Sequence, residues 1–308
     1  MDIHVVRAGE TASSVAARYG VPAGILAGVN GVAPDAPLAV GQTLVIRHPR
    51  ELHTVASGES VYSIALRYGL SVRTLYQNNP ALGGRSALYP GQTLVIAYDD
   101  TPTRTLAVNA YRYPFIRGGL LVAALPYRTY LTPFTYGINA DGTLLPLADE
   151  WLLAAAGQYR TAALMHLSTL TEEGRFDNAR STLILEEADA HYFALDVDFE
   201  YVLPEKREAY AAFITRLREA LTPLGCPVIV ALAPKTSAAQ RGLLYEAHDY
   251  TLLGAAANAV FLMTYEWGYA YGPPMAVAPL GQVRAVLDYA LTAVAPEKIF
   301  MGIPLYGY

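Results

Sequence analysis

The sequence predicts an α/β protein in two parts: a pair of small α+β modules of βααβ order, then a (β/α)8 TIM-type barrel that stops before its last strand. Three observations predict it. Residues 4–46 repeat themselves at 53–96. From residue 105 on, apolar strand-length runs alternate with helical stretches, the signature of βα units around a parallel sheet. Several of those runs are apolar on both faces, as strands covered by helices must be. The boundaries read 1–48 and 51–97 for the two modules, 98–104 for a polar linker and 105–308 for the barrel.

Composition sets the limits. Of the 308 residues, 53% are hydrophobic and 16% charged, which suits a large core and excludes a disordered chain. A net charge of −5 argues against a nucleic-acid binder, which would carry a basic excess. The apolar stretches are interrupted before the roughly 18 residues a membrane helix needs, so no membrane insertion is expected. The start Met-Asp-Ile-His-Val-Val lacks a basic segment followed by an apolar one, so no signal peptide is expected. The one cysteine, Cys226, precedes the apolar run 228–232 and reads as a buried, inert thiol. Histidines 4, 53, 166, 191 and 248 show no metal-ligand spacing, and no cofactor or metal is implied.

The repeats justify their elements in turn. His53-Thr54-Val55 is a strand. Ser60 can N-cap a helix whose Ile64, Ala65 and Tyr68 share one face, and Gly69 can end it. Ser71 starts a second short helix through Leu75, and Leu94-Val95-Ile96 closes the module as a strand. The first copy carries the same signals at Gly9-Glu10-Thr11, Arg18-Tyr19-Gly20 and Gly41 to Ile46. A unit this small has little core to spare and serves by binding.

In the second part, seven strands are expected at 105–111, 130–138, 161–169, 193–202, 227–233, 260–266 and 299–306. Pro204 is placed for the first turn of a helix over 205–221, with Tyr210, Phe213, Leu217 and Leu221 on one face. A second helix runs from about 280 to 294, with Val283, Val286, Leu287 and Leu291 together. An open Rossmann-type sheet is the alternative, but no Gly-x-Gly-x-x-Gly follows the first strand, so a dinucleotide role has no support.

The chemistry concentrates in Leu195-Asp196-Val197-Asp198-Phe199-Glu200-Tyr201. Alternate strand residues share a face at a spacing of about 6.6 Å. Three carboxylates therefore line one side of a strand that is otherwise apolar and offers no basic partner. At least one should hold a proton at neutral pH, which is how acid catalysts are made. Tyr111, Tyr136, Trp267 and Tyr306 fall at strand ends, where aromatic rings either contact a ligand or pack the rim. His166, inside the third strand, reads as a core histidine.

Two resemblances follow from these residues. The Gly58-Glu59-Ser60 helix start, the Arg67-Tyr68-Gly69 stop and the Pro90 to Ile96 ending resemble the LysM module. That resemblance implies binding of N-acetylglucosamine in peptidoglycan or chitin, with Gly9, Glu10, Thr11, Gly58, Glu59, Ser60, Asn78 and Asn79 as candidate glycan contacts. The Asp196-x-Asp198-x-Glu200 run resembles the fourth-strand signature of glycoside hydrolase family 18. Met263-Thr264-Tyr265-Glu266 resembles its sixth-strand motif and Gly302 to Gly307 its seventh. The stretch from Tyr265 to Met275 resembles the spore-germination branch of that family, which also carries LysM repeats.

The resemblance implies a substrate-assisted, retaining hydrolysis next to N-acetylglucosamine in peptidoglycan of the spore cortex. Glu200 would be the acid and base. Asp198 would hold the acetamido N–H, Asp196 would share its proton, and Tyr265 would bond the acetamido carbonyl. Met263 and Glu266 would join Tyr111, Tyr136, Trp267 and Tyr306 at the substrate, with Glu266 standing where chitinases commonly have Asp or Asn. It also implies location in the spore coat or cortex, reached without an export signal. Phe193 stands where the family's motif usually opens with an acid. The sequence given ends after the seventh strand, so the expectation is a barrel without its eighth. A non-catalytic peptidoglycan-binding coat protein and a chitinase are the competing readings.

Overall fold

A reciprocal pair of hydroxyls caps the start of each small module's first helix. Helix α1 (Ala12–Tyr19) follows strand β1 (Asp2–Val5) and is capped by Thr11, whose hydroxyl accepts from Ser14 N–H while Ser14 Oγ accepts from Thr11 N–H. Such a reciprocal cap contributes about 1 kcal/mol. Gly20, in the left-handed region at φ 66°, ends the helix. Helix α2 (Ala23–Asn30) and strand β2 (Thr43–Ile46) complete the first copy, with β1 and β2 antiparallel. The second copy is β3 (Pro49–Thr54), α3 (Val61–Arg67), α4 (Val72–Asn78) and β4 (Thr93–Tyr98), with Ser60 and Ser71 as the caps the sequence predicts. Each copy has its own core, Val15, Leu26, Leu44 and Ile46 in one, Ile64, Leu75, Leu94 and Ile96 in the other.

One side chain per copy ties the second helix to the closing strand. Asn79 accepts from Val95 N–H at 2.7 Å and donates to Leu75 O and Val95 O. Asn30 makes the same three bonds, with Val45 and Leu26.

The computed structural model of the protein describes residues 1–35, 37–99, 105–139, 141, 143–171, 192–268, 271–272 and 275–306. Most of the expected linker, and most of the stretch between the third and fourth barrel strands, lie outside them. The chain divides into two compact units. The first comprises 1–110, 115–130 and 154–161; the second comprises 111–114, 131–153 and 162–308. Within the first unit, Gln77 donates to Pro126 O at 2.8 Å and the Tyr127 hydroxyl to Tyr76 O at 2.8 Å.

The remaining elements are β5 (Asn109–Arg112), α5 (Gly118–Ala124), β6 (Tyr130–Pro133), β7 (Gly137–Ile138), β8 (Leu144–Leu145), α6 (Glu150–Gln158), β9 (Ala162–Ser168), β10 (Ala194–Asp198), α7 (Arg207–Leu221), β11 (Val228–Leu232), α8 (Tyr250–Ala256), β12 (Ala259–Leu262), α9 (Leu280–Ala293) and β13 (Ile299–Met301). All seven expected strands join one sheet in the order β13-β12-β11-β10-β9-β6-β5. Its pairings from β9 through β13 are parallel. All five residues of β11 are buried, as a strand covered on both faces requires.

Several boundaries differ from expectation. Residues 105–108 are not strand. The run 130–138 breaks after Pro133, which has no N–H to offer, and β7 pairs instead with β8 as a short hairpin. Strand β10 ends at Asp198, two residues before Glu200. Helix α7 buries Tyr210, Phe213, Ile214 and Leu221, much as predicted. Helix α9 turns Val286 and Leu287 to the core as predicted and adds Ala290, while Leu291 is 52% exposed.

Candidate active site

The alternation on β10 places Asp196 and Asp198 inside the second unit, 1% and 7% exposed, with Glu200 half-buried just past the strand's end. The Tyr111 hydroxyl, from β5, donates to Asp196 Oδ2 at 2.5 Å. The same ring lies 5.2 Å from Phe261 on β12. In sheet order β5 and β12 are far apart, so the sheet is rolled until its first and sixth strands meet across an interior. Oδ1 of Asp196 and Oδ1 of Asp198 are buried without a hydrogen-bond partner among the described residues. A buried carboxylate oxygen left so costs about 1–3 kcal/mol or more, and asks for a proton or a ligand.

His166 is the residue the sequence reading undervalued. It stands directly opposite Asp196 in the β9–β10 register. Its Nε2 lies 3.5 Å from Asp198 Oδ2, and its Nδ1 hydrogen-bonds Thr135 Oγ1 at 2.6 Å. The signal was available: a histidine on the inward face of an apolar strand, beside the strand of acids.

Electrostatics follow from this geometry. Burial pushes the Asp196 carboxyl up to about 6, against the opposing pull of His166 and the Tyr111 hydrogen bond. Glu200 is pushed up to about 7, by burial first and then by the negative charges of Asp198 and Glu266. Burial and the Asp198 charge hold the Tyr265 phenol well above its ordinary value, so it stays a hydrogen-bond donor.

Tyr265 sits where it does because Gly302 has no side chain: a Cβ there would lie 2.6 Å from the Tyr265 ring and 2.8 Å from Leu262 O. Tyr201 and Glu266, each following a site residue, adopt left-handed φ of 55° and 67°, a strain of about 1–3 kcal/mol of the kind that gathers at functional sites.

The other predicted residues divide. Glu266 is exposed and accepts from the Tyr306 hydroxyl at 3.0 Å. Tyr306 packs edge-on to Tyr265. Met263 is buried, and its N–H donates to Leu232 O. Trp267 is half-buried against the core. The Tyr136 hydroxyl hydrogen-bonds Asp149 at 3.3 Å and Tyr192 at 3.2 Å.

In the repeats, Glu10 binds His4 Nε2 at 2.7 Å, Arg7 N–H at 2.8 Å and the Arg18 guanidinium at 2.8 Å. The backbone bond to Arg7 and the His4 contact depress its carboxyl to about 2. Glu59 repeats the arrangement with His53, Ala56 N–H and Arg67. Thr11 and Ser60 are caps, Asn79 is an internal brace, and Asn78 donates to Ile96 O. Gly9 and Gly58 hold φ of 81° and 82° in open space. Sequence spacing found these loops but could not see that their carboxylates turn inward. Among the described residues no group of three His, Cys, Asp or Glu could hold a metal, and no helix is long and apolar enough to cross a membrane.

A rolled parallel sheet thus carries an acid beyond its fourth barrel strand, next to two buried aspartates and a tyrosine, the kind of clustered, shifted carboxylates that acid–base chemistry uses. Residues 176–308 match the model of glycosyl hydrolases family 18, and residues 4–47 and 53–97 match the LysM domain. The chain belongs to glycosyl hydrolase family 18 and is a hydrolase of glycosidic bonds. It is 37% identical over 333 residues to the cortical fragment-lytic enzyme of Bacillus subtilis (strain 168), covering 100% of this chain and 75% of that one. It is 34% identical to the enzyme of the same name from Bacillus anthracis, covering 100% and 76%. The crystal structure of the Bacillus cereus spore cortex-lytic enzyme SleL superposes with a TM-score of 0.75 at 33% identity, covering 99% of this chain and 74% of that one. A chitinase from Chromobacterium violaceum shares the fold at 24% identity and a TM-score of 0.59, over 66% of this chain and 70% of that one.

Proposed function

We propose that the chain binds spore-cortex peptidoglycan through its LysM repeats and hydrolyses bonds next to N-acetylglucosamine by a substrate-assisted, retaining route. The observation that carries this reading is a half-buried Glu200 whose carboxyl is pushed up to about 7 beside Asp198. Near neutral pH a large share of such a group is protonated, the state a general acid needs.

The steps balance without an enzyme nucleophile. Glu200 gives its proton to the glycosidic oxygen as that bond breaks. The sugar's own acetamido carbonyl oxygen attacks the anomeric carbon and forms an oxazolinium ion. Asp198, with one carboxylate oxygen unpartnered, accepts the acetamido N–H and offsets the developing positive charge. Tyr265 donates to the acetamido oxygen. Glu200, now ionised, takes a proton from water as it opens the ring, which restores the acid. Asp196 and Tyr111 act behind Asp198 by holding the shared proton in place.

In the repeats, the inward-turned Glu10 and Glu59 shape the loops of Gly9 and Gly58. Glycan contact then falls to the exposed backbone of those loops. The relatives named for cortex lysis support action in the spore. Purified chain and Glu200→Gln are compared on cortex fragments, with products read by mass spectrometry. The reading expects loss of hydrolysis with peptidoglycan pull-down unchanged. Equal hydrolysis by both proteins would remove Glu200 as the acid. Binding without hydrolysis by either would leave a wall-binding protein.

A further inference from the structure

His248 is fully buried and takes no part in the reaction described above. Both its ring nitrogens bond to backbone. The Ala233 N–H donates to Nδ1 at 2.8 Å, and Nε2–H donates to Phe199 O at 3.0 Å. An amide N–H can only donate, so Nδ1 carries no proton and the ring is a neutral bridge between the ends of two neighbouring strands.

The place of that bridge matters. Strands β10 and β11 pair in register through Leu195↔Val228, Asp196↔Ile229 and Val197↔Val230. In this ladder Leu195 N–H donates to Pro227 O. Two residues further on, Phe199 would stand opposite Leu232, and its carbonyl would receive the Ala233 N–H. The imidazole occupies that rung. One N–H···O bond of about 2.9 Å is replaced by two bonds with a ring between them, so the strand ends splay at Phe199. The next residue is Glu200, and the one after it turns back with φ 55°. A second side chain from the same segment holds the other strand end: the Tyr250 hydroxyl donates to Ala233 O at 2.7 Å and accepts from Lys235 N–H at 3.0 Å.

We infer that His248 is a positioning residue for Glu200: its ring, wedged into the last rung between β10 and β11, sets where the acid's backbone leaves the sheet. Asp198 and Lys235 are the charged groups that face the ring. Burial pushes its basicity down to about 4, so the neutral bridge persists over the range in which Glu200 titrates. The kinetic part rests on Glu200 being the acid; the geometric part does not.

The test uses the whole chain with His248→Phe, which keeps ring volume without either bond, and His248→Gln, whose amide supplies one acceptor and one donor. Crystal structures of both, kcat and KM on cortex fragments, and the pH profile of kcat are measured. In His248→Phe, Phe199 O and Ala233 N are expected to close into a direct hydrogen bond or to separate around water, moving Glu200. With that, kcat should fall about 10- to 100-fold with KM within about twofold, and the alkaline limb should shift. His248→Gln should recover most of kcat. Should His248→Phe fail to fold, His248→Leu, which likewise lacks both bonds, takes its place with the same expected backbone movement and loss of kcat. An unmoved Phe199–Glu200 backbone with unchanged kcat in a folded variant that lacks both bonds (His248→Phe or His248→Leu) overturns the inference. If the wild-type chain does not hydrolyse but the backbone moves as expected, the wedge stands and the proposed function falls.

Discussion

The Tyr111 hydroxyl and the Asp196 carboxylate meet at 2.5 Å, although β9 and β6 stand between their strands in the sheet. That bond crosses the interior, and Asp196 is 1% exposed. Removing the donor with Tyr111→Phe leaves a second oxygen of a buried acid unsatisfied, at a cost of about 1–3 kcal/mol. The Tyr111 bond also opposes the upward push on Asp196, so its loss should raise that acid further. The variant should lose stability in urea and at least about tenfold in kcat, with KM little changed.

Glu200 should weaken the fold it serves. Its carboxyl is raised from 4.5 to about 7, so the folded chain holds that proton more tightly than the unfolded one. Stability from this group is therefore present below about pH 4.5 and is lost as pH rises to about 7. The difference is on the order of 3 kcal/mol before solvent screening lowers it. Glu200→Gln should melt several degrees above wild type at pH 8 and near it at pH 5, by thermal denaturation.

Gly302 should tolerate no side chain. An alanine Cβ would meet the Tyr265 ring at 2.6 Å and the Leu262 carbonyl at 2.8 Å. Backbone cannot give way, so the ring moves and overpacking costs about 1–3 kcal/mol. Gly302→Ala should lower kcat at least about tenfold, while peptidoglycan pull-down is unaffected.

The repeats offer a separate check. Asn30→Ala and Asn79→Ala each free a strand N–H and two carbonyls, and each should cost about 1–3 kcal/mol. For Glu10, depressed to about 2, the sign is opposite to that of Glu200. Its contribution is present above the ordinary carboxylate range and is lost as pH falls toward 2. Unfolding of the repeats, followed by circular dichroism in acid, should move upward in pH in Glu10→Gln.

Period and punctuation made the architecture legible. Ser60, Ser71 and Gly69 announced helix ends by local chemistry that no tertiary contact overrides. The acids of β10 were legible because alternation puts Asp196 and Asp198 on one face. What was hidden depends on partners distant in sequence. Nothing near Glu59 says that His53 and Arg67 will enclose it, nor anything near Tyr136 that Asp149 will take its hydroxyl. His166 was passed over because its neighbours in sequence are apolar, and its acidic neighbours belong to the next strand. On α9 only Leu291 was misplaced, because Ala290, one residue before it, takes the inward position.

The central claim is that Glu200 keeps its proton to near neutral pH. Titration of its side-chain carboxyl by carbon-13 NMR in the full chain reads this directly. The account predicts a midpoint near 7 that falls toward the ordinary range in Asp198→Asn. A midpoint near 4.5, unmoved by that substitution, would contradict it.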